Sequence, residues 1–296
     1  MARDLYLEVT EKIIAQLEAG TIPWIKPWAC ASKFGGQPFN AISRKPYRGI
    51  NTLLLCAPQY ARTEWMTYKQ AQDIGANVRK GETGSMIVFY KPFAVKDKNA
   101  KPDADGNVKE RNIPLLRCFH VFNLEQIENL PECLQAQRTD DRPELERHAM
   151  ADSVMAQASV SHGGDRAFYR VDGDSIRLPQ PGQFDCMASY YGTALHELTH
   201  WTGHKSRLDR EYGKRFGDQA YAREELVAEM GAAFLCASVG IAGKLQHPQY
   251  VANWLTVLKG DKRAVLVAAG AAQKAADFCL KAIAEIHADE GEELAA

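Results

Sequence analysis

His196-Glu197-Leu198-Thr199-His200 sets two imidazoles four residues apart, with a carboxylate directly after the first. On a helix, positions i and i+4 share a face, so both rings can address one point. Two neutral imidazoles there can hold a zinc ion, and the glutamate can take a proton from water that the metal activates. The chemistry suggested is metal-assisted hydrolysis, most simply of a peptide bond. His196 and His200 are the expected ligands and Glu197 the expected general base. Ala194, Leu195 and Leu198 are apolar, so the helix should be buried, and its histidines and glutamate then need partners. Thr193 is the expected N-cap.

A catalytic zinc needs three protein ligands and one open position. Gly203 falls where the longer pattern HExxHxxGxxH has its glycine, but Ser206 stands at the third histidine, so that pattern fails. His204 lies two turns beyond His196, about 12 Å along the axis, too far to share an ion in an unbroken helix. An acid on a later helix is the better candidate. Glu225 and Glu229 are four apart, so one can bind metal while the other orients a histidine. The spacing Glu225-x-x-Ala228-Glu229 resembles glutamate zincins in which the first acid binds. Ala228, Gly231, Ala232 and Ala233 instead favour close approach and burial at Glu229. Glu229 is the expected ligand, with Glu225 as alternative ligand or orienting acid. Glu224 best suits a solvated surface. Tyr190, Tyr191, Tyr212 and Tyr221 are candidates to hold the oxyanion. Zinc is the default ion, with Mn2+ or another first-row metal open, since His/His/Glu sites discriminate weakly.

These groups need a scaffold. At 296 residues the chain is long enough for about two domains. No run approaches the roughly 18 apolar residues of a membrane span, and Met1 to Glu11 lacks a signal-peptide core. The seven cysteines are scattered without a CxxC pair, which points to reduced thiols and a cytoplasmic protein. Charge is divided. Residues up to Phe122 carry a balance of +7 and the remainder −8, which suits a polyanion on the first half.

Leu5, Val9, Ile13, Ile14 and Leu17 make a helical stripe that Gly20 ends. Helices are expected over 51–56 and 63–71, a strand over 86–90, and a long hairpin from 93–95 and 115–122 around the polar loop 96–112. Residues 123–143 read as a linker. Beyond it come a helix over 144–159, short strands flanking Asp172-Gly173-Asp174, and helices around 184–203, 221–239, 251–258 and 264–285. The expected fold is α+β: a basic α+β domain over 1–122, then a mainly helical hydrolase domain over 144–296.

The first half interleaves aromatics with cations. Bases stack on rings while cations meet phosphates, which suits single-stranded DNA bound without sequence preference. The candidates are Trp24, Lys26, Trp28, Lys33, Arg44, Lys45, Tyr47, Arg48, Arg79 and Lys80. Trp65 and one of Trp24 and Trp28 are expected to pack internally.

Taken together, Ile22-Pro23-Trp24 to Trp28, Pro46-Tyr47-Arg48-Gly49-Ile50-Asn51, Trp65 to Gln70, Gly75 to Gly81, His196 to His204 and Tyr221 to Phe234 resemble the ArdC-type antirestriction proteins of conjugative plasmids. The first half also resembles the N-terminal region of TraC-type plasmid primases. The resemblance spans roughly residues 3–287 and implies a single-stranded-DNA-binding domain joined to a zincin-like metallopeptidase domain. It implies protection of incoming plasmid DNA from host restriction during conjugation. The expected partners are single-stranded DNA and a protein substrate, with a DNA-bound host protein as the candidate. Two rival readings are a DNA-shielding protein whose metal site is not essential, and a DNA-dependent protease acting on crosslinked proteins.

Overall fold

The computed structural model describes residues 4–24, 36–58, 60–96, 110–135, 144–212, 219–241 and 251–293. Helix α1 (Leu5–Glu18) starts at Asp4, whose carboxylate accepts hydrogen bonds from the Tyr6 and Leu7 N–H groups. Val9, Ile13 and Leu17 form its buried stripe, and Gly20 at φ 76° turns the chain out of it. There follow β1 (Phe39–Asn40), α2 (Ile50–Cys56), β2 (Glu64–Met66), α3 (Tyr68–Asp73), β3 (Asn77–Val78), β4 (Ser85–Lys96), β5 (Glu110–Asn123), β6 (Ile127–Glu128) and α4 (Glu132–Gln135). The main sheet runs β1-β2-β5-β4, parallel only between β1 and β2. The hairpin β4–β5 runs in register from Ser85↔Val121 to Lys96↔Glu110, and β3 pairs with β6.

Two expectations change here. The helix expected over 63–71 is a strand followed by a short helix. Trp65 and Met66 belong to β2, and Thr67 caps α3 in a reciprocal box with Gln70. The linker expected from Asn123 is structured up to Gln135. Asn123 and Gln126 form a second such box, and Leu124, Ile127 and Leu134 bury into a small core with Met66 and Ala71. Residues 136–143 lie outside the described residues.

The second half opens with α5 (Glu144–Met155) and a three-stranded sheet of β7 (Ser159–His162), β8 (Phe168–Arg170) and β9 (Ser175–Leu178). Its order is β7-β9-β8, so β8 is an edge strand. Helices α6 (Met187–Thr202), α7 (Gln219–Val239), α8 (Val251–Gly260) and α9 (Ala264–Glu293) complete it. The whole is α+β, with a helical second half. Among the described residues no helix is long and apolar enough to cross a membrane.

One core joins the halves. Val9, Ile13, Leu17, Leu53, Leu54 and Val88 pack in the same cluster as Leu195, Leu226, Met230 and Val265. Trp24 meets Trp254 edge-on at 5.3 Å between ring centroids. The Thr10 hydroxyl donates to the Lys262 carbonyl, and the Gly49 N–H donates to Gln273. Helix α1 therefore packs with the helices of the second half, although it is read in sequence as part of the first.

Candidate metal centre and nucleic-acid groove

Helix α6 begins after Cys186, so Thr193 is not its cap; it sits inside the helix, donating to the Ser189 carbonyl. That places His196 and His200 on adjacent turns with ring centroids 4.8 Å apart. Helix α7 crosses α6 closely because Gly231 faces Thr199: a Cβ there would lie 2.4 Å from the Thr199 methyl. Helix α7 is buried nearly all round, yet it carries Glu224, Glu225 and Glu229 inside. Three buried carboxylates persist only with cationic or hydrogen-bonding partners.

Each imidazole offers one nitrogen inward and one to an acid. The Nε2 of His196 lies 3.5 Å from Glu225 Oε2, and the Nε2 of His200 lies 3.6 Å from Glu225 Oε1. The three donor atoms of His196, His200 and Glu225 lie within 4.8 Å of one another. The outer nitrogens differ. His196 Nδ1 lies 3.6 Å from Glu229, and His200 Nδ1 lies 3.2 Å from Glu224. Sequence reasoning favoured Glu229 as third ligand; the triangle of donors is closed by Glu225, because only Glu225 meets both rings at Nε2. Two imidazoles and a carboxylate in this arrangement are a donor set that could hold a divalent metal.

Glu224 was expected in solvent and is buried. Arg210 clasps it through Nε and Nη2, at 3.0 and 2.8 Å, and also donates to the Thr199 carbonyl. Arg210 belongs to the loop that folds back over the end of α6, where the Tyr212 hydroxyl donates to the His200 carbonyl. Gly203 makes room for this return, since a Cβ there would meet Tyr212 and Arg210. His204 is turned away from the triangle and bonded to Ser206.

The acids govern protonation. Burial depresses the His196 pKa, but the hydrogen bond to Glu225 and the charges of Glu229 and Glu197 outweigh it and push it up to about 9. Burial raises Glu225, yet the two histidines pull it to about 2. The pocket thus favours a cation, whether proton or metal.

A cavity of about 330 Å³ opens over these groups, lined also by Glu197, Phe168, Tyr169, Tyr212 and Tyr221. Tyr169 hydrogen-bonds Asp174, which Arg207 grips while lying 3.8 Å from the Trp201 ring. Of the four candidate tyrosines, Tyr190 is bonded to His162 and Tyr191 to Asp152. Tyr212 and Tyr221 alone of the four line the cavity.

The basic half holds a groove of about 740 Å³ on the outer face of β4–β5. Lys45, Arg48 and Arg117 border it, and Phe89 and Phe119 stand in it, each nearly half exposed. Their rings meet edge-on at 5.7 Å. Among the expected residues, Lys45 and Arg48 line this groove, and Tyr47 shows it an edge while its ring packs with Leu55 and Trp65. Trp24 is fully buried against Trp254, so of the expected stacking rings it is a core residue; no base can reach it. Arg44 takes the left-handed position of a turn at φ 61°, and neither it nor Arg79 nor Lys80 lines the groove. Arg79 pairs with Glu82 and donates to the Glu125 carbonyl. Lys26, Trp28 and Lys33 lie outside the described residues. Sequence reasoning missed Phe89, Arg117 and Phe119. The signal was Arg117-Cys118-Phe119 at strand period, with Phe89 opposite Arg117.

Comparison with known proteins agrees with both halves. Residues 3–122 match the N-terminal domain of the anti-restriction factor ArdC, and residues 148–271 match the zincin-like metallopeptidases. The chain is 42% identical over 285 residues to a DNA primase TraC of Escherichia coli, covering 92% of this chain but 27% of that primase. It spans only 19% of a second TraC primase from that organism. An uncharacterized protein of Sinorhizobium fredii, y4eC, is 37% identical over 289 residues, 91% of its length. The metal-free crystal structure of the antirestriction protein ArdC from plasmid R388 superimposes with a TM-score of 0.77 at 40% identity, over 96% of this chain and 99% of that one. Its Mn(II)-bound form gives 0.74 at 38% identity, over 95% and 98%. With its fold shared over nearly the whole length of both chains at 40% identity, and an ArdC N-terminal domain in its first half, this chain belongs to the ArdC family of antirestriction proteins.

Proposed function

We propose that this protein binds single-stranded DNA in the β4–β5 groove and cuts a protein associated with that DNA, so protecting incoming plasmid DNA from host restriction during conjugation. The observation that carries the reading is the meeting of His196, His200 and Glu225 beside Glu197, in a chain that also exposes an aromatic, cationic groove. Zinc is the expected ion, and the ArdC of R388 has been crystallised with Mn(II), which suits the same donor set. Such an ion, held by His196, His200 and Glu225, would supply Lewis-acid activation of water and of the scissile carbonyl. Glu197 takes the proton that the attacking water loses and returns it to the leaving amine. Glu224 holds the His200 ring by a hydrogen bond at Nδ1, and the Glu229 carboxylate lies 3.6 Å from His196 Nδ1, so each ring has an acid behind it and its Nε2 toward Glu225. The six described cysteines are free, in keeping with a reducing cytoplasm. Holding DNA beside the peptidase raises the local concentration of a DNA-bound protein, into the mM range for a short connection.

Glu197→Gln is expected to abolish cleavage of a protein crosslinked to single-stranded DNA, while metal content and DNA affinity stay as in the parent. Cleavage that survives the change removes Glu197 from the mechanism. A mating assay into a restricting host separates the readings: if the variant still protects, DNA shielding suffices and proteolysis serves another end.

Phe89→Ala with Phe119→Ala is expected to weaken binding of an oligo-dT strand by about tenfold or more, since stacking is worth roughly 1–3 kcal/mol per base. Fluorescence anisotropy measures it. An unchanged affinity places the DNA elsewhere.

A further inference from the structure

A second cavity, of about 570 Å³, lies between Tyr6 of α1, the loop after α6 and one face of α9. Among the described residues Arg207, Arg210, Arg263 and Lys274 line it, and no acidic residue does. Arg207 and Arg210 are already committed to Asp174 and Glu224. Arg263 and Lys274 are exposed and make no ion pair among the described residues; Arg263 lies 5.0 Å from the Tyr6 ring centroid. Between them Leu266, Val267 and Ala271 form an apolar floor, and Val267 is 68% exposed. By helical spacing these positions share one face of α9, and Asp277 extends it by a turn. Asp277 is where Arg48, at the groove, is bound. From Asp277 back to Arg263 is roughly 21 Å along the axis.

We infer that a DNA strand leaving the groove past Arg48 continues along this face of α9, its phosphates meeting Lys274 and then Arg263. The inference rests on the groove as DNA site and extends it into the peptidase half. Two cations about 16 Å apart along a helix suit a polymer of phosphates better than one phosphate group. The apolar floor and Tyr6 give sugars and bases a surface, as in other single-strand channels. The path would run against Arg207 and against Arg210, which holds Glu224 behind His200.

The test uses the full chain and fluorescein-labelled oligo-dT of about 6 and about 20 nucleotides, the short one filling the groove alone. Arg263→Gln with Lys274→Gln is expected to leave the short strand's affinity unchanged. The long strand should lose about 5- to 20-fold, and its salt slope should flatten by about 1.4, or roughly 0.7 per lost phosphate contact. Arg263→Glu with Lys274→Glu should deepen the same loss, with an unchanged melting temperature in both variants. Parent-like binding of the long strand by both variants overturns the path, as does a parent that binds both lengths equally. If Phe89→Ala with Phe119→Ala leaves the short strand bound as before, the groove reading fails instead.

Discussion

Glu225→Ala is expected to leave the protein without bound metal, whereas Glu229→Gln keeps the metal at an affinity weakened by about 10–100-fold. Helix α7 offers three buried acids, and their reach separates them. Of the two imidazoles, Glu224 lies against that of His200 and Glu229 against that of His196, each at Nδ1. Glu225 alone meets both rings, and at Nε2. Removing it leaves two imidazoles, short of the three protein ligands that a catalytic zinc site requires. Changing Glu229 leaves the donors intact but loosens the ring of His196. Elemental analysis after dialysis, followed by titration with Zn2+ and with Mn2+, measures the difference. The opposite order, with Glu229→Gln empty and Glu225→Ala still binding, would return the third position to Glu229.

The choice between these two acids shows what the sequence could and could not carry. HExxH spacing places two rings on one face whatever surrounds them, and His196 and His200 needed no tertiary information. The third ligand was argued from burial, and small neighbours correctly marked Glu229 as the deepest acid, with no exposed surface. A ligand, however, must face the cavity, and Glu225 lines it while Glu229 does not. Glu224 looked solvated because its partner, Arg210, comes from another loop and no local pattern joins them. Locally coded features were missed too. Thr67-x-x-Gln70 and Asn123-x-x-Gln126 are capping boxes legible in the sequence, and each marks the turn where a helix or a linker was expected. Trp24 had no such mark. Only its own packing against Trp254 of α8 assigns it to the core.

Gly231→Ala is expected to destabilise the protein by about 1–3 kcal/mol and to lower metal affinity with it, although residue 231 touches no ligand. A Cβ at 231 would lie 2.4 Å from the Thr199 methyl and 3.2 Å from Thr199 Cβ. Neither atom ends a flexible chain. Thr199 is also held by its own hydroxyl, which donates to the Leu195 carbonyl. The added methyl must therefore push α7 away from α6, which moves Glu225 and Glu229 from the histidines together. Gly270 is the contrast: it lies within α9 with nothing near its missing Cβ. Gly270→Ala should stabilise by a few tenths to about 1 kcal/mol, since alanine gives up less backbone freedom in a helix. Thermal melts with and without added Zn2+ read both effects. For Gly231→Ala the melting temperature should fall by about 3–10 °C, and the rise on adding metal should shrink. A full metal-dependent rise in a destabilised Gly231→Ala protein would mean that the spacing of the two helices does not set the geometry of the site.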